Sequence, residues 1–229
     1  MAAVYQESHM RVRTEAKREA ILEAASQVFL EAGFEGASMS QIAARVGGSK
    51  RTLYGYFANK EELFVAVAHS AAESLLGPLF DSLGSTEEPL VVALARVGYS
   101  LSRLMIDEQT LQIMRTMIAV SGRSDIGAMF YMTGPAKGLK ALASYLEGQA
   151  EAGLLTRSDP MIMSQHFHAL HQAEILLPGL LGVLKNPTDQ YLCEATARSL
   201  GAFFNAYAAP DQPLSYEQLV QVLQWVVQV

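Results

Sequence analysis

The sequence predicts an all-α protein in two parts, a three-helix N-terminal helix-turn-helix domain and a larger C-terminal helical bundle. Three observations carry that expectation. Apolar residues recur at helical spacing in segment after segment. The segments are punctuated by glycine, proline and capping residues. No run alternates with a period of two between hairpin turns.

The elements follow in order. Ile21, Leu22, Ala25, Val28 and Phe29 form the apolar stripe of an amphipathic helix that Gly33 ends. Ser38 precedes Gln41 by three residues, the spacing of a capping box, and opens a short helix carrying Ile42, Ala43 and Val46. Gly47-Gly48 breaks it. Ser49 caps a third helix from about Lys50 to Phe57. Asn59, with Glu62 three residues on, caps a fourth that runs toward Gly77-Pro78, where a kink or stop is expected. Longer helices are expected at about 87–105, 108–121, 124–132, 136–151, 160–183 and 188–208, with Pro178 bending the fifth of these. Residues 209–215 hold two prolines and read as a linker. Leu219, Val222, Leu223 and Val226 then mark a final amphipathic helix. The expected division is a flexible basic arm over 1–12, a DNA-binding domain over 13–60 with its helix pair at about 38–57, a ligand-binding and dimerisation domain over 61–208, and the linker with its terminal helix over 209–229.

Composition narrows the function classes. Half of the 229 residues are hydrophobic and 17% are charged, enough for a sizeable core and unlike a disordered chain. No apolar run reaches the roughly 18 residues of a membrane span, so no membrane partner is expected. The stretch from Met1 to Thr14 lacks the apolar core of a secretory signal. Cys193 stands alone, which rules out an internal disulfide and points to a reducing cytoplasm. The net charge of -6 divides into +2 over residues 1–60 and -8 over residues 61–229. That asymmetry places any nucleic-acid contact in the first quarter of the chain.

Two short helices around a glycine turn, braced by a helix on either side, are the parts of a helix-turn-helix. At about 100° per residue, Leu53 and Phe57 of the third helix point inward together. Arg51, Gly55 and Ala58 point the opposite way, with Thr52 and Tyr54 on the flanks. Arg51 can donate two hydrogen bonds to guanine, and Thr52 can bond a base or touch a thymine methyl. Gly55 lets the backbone approach the groove. Ser38 and Ser40 sit at the N-terminus of the second helix, where free N–H groups favour an anion. Tyr54 and Tyr56 offer hydroxyls to phosphate. Lys60 lies in the first turn of the fourth helix, a poor place for a cation unless a phosphate joins it. Arg11, Arg13, Lys17 and Arg18 form a basic stretch able to reach the backbone or minor groove.

The run Ser38-Met-Ser-Gln-Ile-Ala-Ala-Arg-Val-Gly-Gly-Ser-Lys-Arg-Thr-Leu-Tyr-Gly-Tyr-Phe-Ala-Asn-Lys-Glu-Glu-Leu63 resembles the signature of the tetracycline-repressor (TetR) family. The likeness covers about residues 15–65. It implies a DNA-binding role for Ser38, Ser49, Lys50, Arg51, Thr52, Tyr54, Tyr56 and Lys60, with double-stranded operator DNA as partner. Val46 stands where that family usually has Ala, and Gly48 where it usually has Val. Looser docking of the second helix is therefore expected.

The resemblance also implies a small-molecule effector bound among the C-terminal helices. The residues agree in kind: seven of the ten methionines lie between positions 105 and 163, and methionine adapts to ligands of varied shape. The candidate lining is Met105, Met114, Met117, Phe130, Tyr145, Phe167, His168 and His171. The segment from about Arg115 to Gly182 is similar to efflux-pump regulators of the same family, which points to a small, largely apolar effector and to export genes. His168, His171 and Glu174 share one helix face and form the one constellation able to hold a metal. They read more readily as pocket or interface groups, and no metal, cofactor or catalytic machinery is expected. Leu170, Ile175, Leu176, Leu180 and Leu181, with Leu192, Leu200, Phe203, Phe204 and Tyr207, exceed one subunit's core. A homodimer would cover them and set two reading heads about 34–36 Å apart, one DNA turn. The expected function is a repressor released from its operator by the effector. Two alternatives are the same fold without a ligand and, more remotely, a helical His/Glu metal enzyme.

Overall fold

A glycine in the left-handed region, Gly33 (φ 69°), ends the regular part of the first long helix, as its lack of a Cβ permits. In this computed structural model the described residues are 2–83, 88–122, 124–210 and 214–228, with side chains from residue 14 onward except those of Ala71, Ser74, Leu75, Leu79 and Ser82. The side chains of Arg11 and Arg13 therefore lie outside the described residues. The described helices are α1 (Ala2–Gly36), α2 (Met39–Val46), α3 (Lys50–Tyr54), α4 (Lys60–Ser82), α5 (Leu90–Ile106), α6 (Glu108–Ser121), α7 (Ile126–Thr133), α8 (Pro135–Glu151), α9 (Pro160–Gln172), α10 (Leu176–Leu180), α11 (Asp189–Tyr207) and α12 (Tyr216–Gln228). Among the described residues the fold is all-α, with one isolated antiparallel bridge between Leu155 and Ala208. No helix is long and apolar enough to cross a membrane among the described residues.

The chain forms two compact units. One comprises Met1–Ala71 with Val120–Met129, the other Ala72–Ala119 with Phe130–Val229. The division departs from a boundary at residue 60: the first three turns of α4 and the segment 120–129 cluster with the N-terminal helices.

Two prolines are expected to disturb their helices, Pro78 by a kink or stop and Pro178 by a bend. α4 continues through Pro78 to Ser82 rather than stopping there. A single proline removes one N–H from the helical ladder, a local loss that the flanking turns carry. The helix expected over 160–183 is interrupted at residues 173–175, ahead of Pro178. The proline ring would meet the carbonyl four residues back, at Glu174. Restarting at Leu176 places Pro178 in the first turn of α10, where its missing N–H has no helical partner to lose.

The second unit is built around α5, which packs against α9, α10, α11 and α12, while α8 packs against α9. Its centre holds Leu94, Ala95, Val97, Leu146, Met163, Phe167, Ile175, Leu200, Phe203 and Leu223, each 1% exposed or less. Burial of each large side chain contributes roughly 1.5–3 kcal/mol. Phe167 and Phe203 meet edge to face at 5.3 Å. The caps are orderly. Asp159 and Thr188 accept the N–H groups of Ile162 and Tyr191 at the starts of α9 and α11. Ser215 and Gln218 exchange bonds at the start of α12, which buries Leu219 and Leu223.

The α10 turn sits tight on its neighbours. A Cβ on Gly179 would lie 2.9 Å from Ile106 Cδ1 and 3.2 Å from Leu111 Cδ2. From α6, Arg115 donates from Nη2 to the Gly179 carbonyl and from Nε to that of Leu180, both at 2.9 Å, and from Nη1 to Glu108 at 3.1 Å. A guanidinium fork thus adds charged donors at the carbonyl end of this short turn, where the Gly179 carbonyl also accepts the Gly182 N–H.

Candidate nucleic-acid interface and helical core

The sequence of the helix pair folds locally for reasons visible in its caps. Ser38 Oγ accepts the Gln41 N–H at 3.3 Å and donates to Gln41 Oε1 at 2.8 Å, closing the start of α2. At its end Gly47 adopts φ 66°. Gly47 N–H donates to Ala44 O and Gly48 N–H to Ala43 O, the paired bonds of a Schellman turn. Ser49 Oγ then accepts the Thr52 N–H at 3.0 Å and lies 2.9 Å from Thr52 Oγ1, starting α3. Arg45 grips Glu31 of α1 with both guanidinium arms at 2.7 Å, and these hydrogen bonds hold the Glu31 carboxyl below the usual carboxylate range.

α3 presents the two faces its sequence predicts. Leu53 and Phe57 are 2% and 3% exposed, whereas Lys50, Arg51, Thr52 and Tyr54 face outward. The helix is shorter than expected, ending at Tyr54. Beyond it the Tyr56 N–H bonds three residues back, to Leu53 O, while the Phe57 N–H still reaches Leu53 O, so Phe57 is carried inward by the tightened turn. Ser40 and Ser49 are exposed, Tyr56 is half-buried. Arg18 of α1 lies over the Phe57 ring, 5.7 Å from its centroid, and Lys17 reaches the Gly48 turn.

Two expected phosphate donors are engaged inside the protein. The Ser38 hydroxyl spends its proton on Gln41, so its role is the cap. Lys60 Nζ donates to the carbonyls of Phe34 (2.7 Å), Ala37 (3.1 Å) and Glu35 (3.5 Å), and lies 4.4 Å from the Phe34 ring centre. This answers the puzzle of a cation in a first helical turn: Lys60 serves the carbonyl end of α1, where a positive charge is favoured. Phe34 and Phe29 both pack on Phe64, at 5.0 and 4.9 Å, beneath that contact. Asn59 Oδ1 accepts the Glu62 N–H at 2.7 Å, the expected cap of α4.

Looser docking of α2 does not follow from Val46 and Gly48. Val46 is half-buried and Gly48 exposed, so neither occupies a tight packing site. Ile42 and Ala43 carry the contact instead, 0% and 4% exposed.

The residues expected to line an effector site all lie in the second unit, where Met105, Tyr145 and Phe167 share one core cluster. Met105, Met117, Phe167 and His171 are buried; Met114, Phe130, Tyr145 and His168 are half-buried. A cavity of about 200 Å³ is lined by Pro89, Leu90, Val91, Leu154, Phe204, Ala208 and Leu214, and so by none of them. The buried methionines and Phe167 are core side chains in this structure. The metal constellation is also dissolved: Glu174 pairs with Arg198 at 2.7 Å, and His171 Nδ1 lies 2.7 Å from the Phe167 carbonyl.

Burial depresses the His171 imidazole to about 4, against 6.5 for a free side chain. The unfolded chain therefore takes up a proton below pH 6.5 that the folded chain refuses, and stability falls as pH drops from about 6.5 toward 4. The expected loss is about 2 kcal/mol between pH 7.5 and pH 5. Burial pulls His168 down as well, adding in the same direction. Urea midpoints at the two pH values check this, and a His171→Phe chain should show a visibly flatter dependence.

Comparison with known proteins agrees with this geometry. Residues 21–67 match the family of bacterial regulatory proteins named for TetR, and residues 92–209 match the AefR-like transcriptional repressor C-terminal domain. The chain belongs to the TetR family. Its fold is shared by a TetR-family regulator from Mesorhizobium loti, with 26% identity, a TM-score of 0.75, and coverage of 86% of this chain and 98% of the other. The flavonoid-responsive regulator FrrA is 30% identical with a TM-score of 0.68, covering 86% of this chain and all of FrrA. The HTH-type regulator RutR of Escherichia coli is 44% identical over 64 residues, 28% of this chain and 30% of RutR. The activator FasR of Mycolicibacterium smegmatis is 36% identical over 78 residues, 34% of this chain and 36% of FasR. The chain thus matches about a third of the length of these curated relatives.

The outward face of α3 holds the residues expected to read DNA. Replacing Arg51 with alanine is expected to relax preference at one base pair by roughly tenfold while leaving the salt dependence nearly intact. Binding to single-base operator variants measures it; unchanged preference would place the readout elsewhere.

Proposed function

We propose that this TetR-family regulator is a dimeric repressor whose hold on operator DNA is weakened by a small, largely apolar effector. The observation that carries the DNA half is the split of α3, with Leu53 and Phe57 inside and Lys50, Arg51, Thr52 and Tyr54 outside. Arg51 and Thr52 read bases; Tyr54, Tyr56, Ser40 and Lys50 position the head on phosphates. Repression rather than activation rests on the AefR-like C-terminal domain, since the relatives matched by the N-terminal part include an activator. A genetic target that handles lipophilic compounds suits the apolar second unit.

Of the residues expected to exceed one subunit's core, Ile175, Leu192, Leu200, Phe203 and Phe204 are buried within the chain itself; the second copy would cover Leu181, with Leu177 and Val183, which stand 70%, 63% and 79% exposed. The effector reading is supported by FrrA, a relative responsive to flavonoids. The coupling route follows the chain itself. The backbone passes between the units at Ala71-Ala72, Ala119-Val120 and Met129-Phe130, and α6 itself runs across the second of these points, which makes it the proposed carrier of an effector-driven shift. Effector and DNA then weaken each other's binding by one common factor.

Selection of bound sites from random DNA tests the proposal. The expected product is a palindrome with half-sites about one helical turn apart. Failure to enrich any sequence would overturn it.

A further inference from the structure

We propose that Nε2 of His171 reads the effector, accepting a hydrogen bond from the hydroxyl of an otherwise apolar aromatic molecule that enters between α5 and α9. The inference rests on the effector-responsive reading above and names the chemistry of that effector.

The second unit buries five polar side chains among its described residues: Ser102, Ser164, His171, Thr196 and Ser199. Four are satisfied. Ser102 and Thr196 hydroxyls lie 3.2 Å apart, Ser164 donates to Leu139 O at 2.8 Å, and Ser199 Oγ lies 2.9 and 3.0 Å from the Leu170 and Ala195 carbonyls. His171 is half satisfied. Its Nδ1 faces the Phe167 carbonyl at 2.7 Å, and because a carbonyl only accepts, Nδ1 carries the proton. Nε2 is then a bare lone pair, and it has no partner. A buried acceptor left open is rare in native cores and calls for an explanation.

The surroundings define what would complete it. Nε2 rests on Gly98 of α5, so close that a Cβ there would lie 2.2 Å away. The Phe167 ring stands 4.3 Å from the imidazole centre, with Phe203 edge-on behind it. Both rings are buried and packed, so an aromatic body enters only by taking the place of these ring contacts. The buried polar set contains no Lys or Arg, so an anionic effector would lie uncompensated, and burial keeps the imidazole neutral. An ether or ketone would set lone pair against lone pair. A neutral hydroxyl is the complement. To reach Nε2 it must part His171 from Gly98, so binding and the separation of α5 from α9 are one event.

The test compares 4-tert-butylphenol with its methyl ether by calorimetry on the full chain and on His171→Phe. The phenol is expected to bind the natural chain at least tenfold more tightly than the ether, and the variant should treat the two alike. In the natural chain the phenol, not the ether, should shift the ¹⁵N resonance of His171 Nε2, a readout independent of how the variant folds. Equal affinities, a preference that survives in the variant, an unmoved resonance or no binding of the phenol would each overturn the inference. An effector without a hydroxyl that releases operator DNA equally from both chains would overturn it while leaving the repressor reading in place.

Discussion

Replacing Gly98 with alanine is expected to cost the second unit about 3 kcal/mol, at the upper end of what overpacking a core by one methyl exacts. The added Cβ would lie 2.2 Å from His171 Nε2, 2.9 Å from Cδ2 and 3.1 Å from Cε1. The ring has little room to retreat, since Nδ1 is held by the Phe167 carbonyl and the side chain is 1% exposed. The strain must therefore be taken up by moving α5 from α9. Urea titration measures the loss. If the clash is the cause, adding His171→Ala to the alanine variant removes it, and a double-mutant cycle should show a coupling of about 2 kcal/mol. Strictly additive losses would show that the contact is not what limits position 98.

Lys60→Met should destabilise the N-terminal unit by about 2–3 kcal/mol, the cost of leaving carbonyls at a helix end without a charged donor. Methionine keeps most of the stem and its contact with Phe34, so the change isolates the ammonium and its bonds to Phe34 and Ala37. DNA affinity of the folded fraction should keep its salt dependence. A phosphate contact at Lys60 would instead lower the slope of log affinity against log salt by about one. Chemical denaturation and binding at several salt concentrations separate the two roles.

The contrast at Lys60 shows what could be read from the chain alone. Local rules had local answers: Ser38 with Gln41, Ser49 with Thr52 and Asn59 with Glu62 cap where their spacing predicts, because capping involves only neighbours in sequence. The inward pair Leu53 and Phe57 followed from periodicity. The partner of Lys60 lies 23 to 26 residues away, on the far side of α2 and α3 in the sequence, and nothing local marks it. The one available clue was the unfavourable place of a cation in a first turn, which signals an unseen negative group without saying whether it is phosphate or carbonyl. Effector-lining residues could not be told from core residues for a related reason. Helical spacing separates inside from outside, but Met105, Met117 and Phe167 look the same whether they fill a core or border a cavity. The orphaned nitrogen of His171 depends on the helix that faces it, α5, and on a glycine there whose importance is invisible until the two are side by side.

The fork of Arg115 bears on how the regulator would respond to its own abundance. It belongs to α6, yet it holds the carbonyls of Gly179 and Leu180, in the same short turn as Leu177 and Leu181, which the proposed second copy would cover. Association of subunits and movement of α6 would then draw on the same support. Dose-response curves recorded at widely separated protein concentrations should fail to superimpose, and the cell's stock of the regulator would itself tune how much inducer is needed.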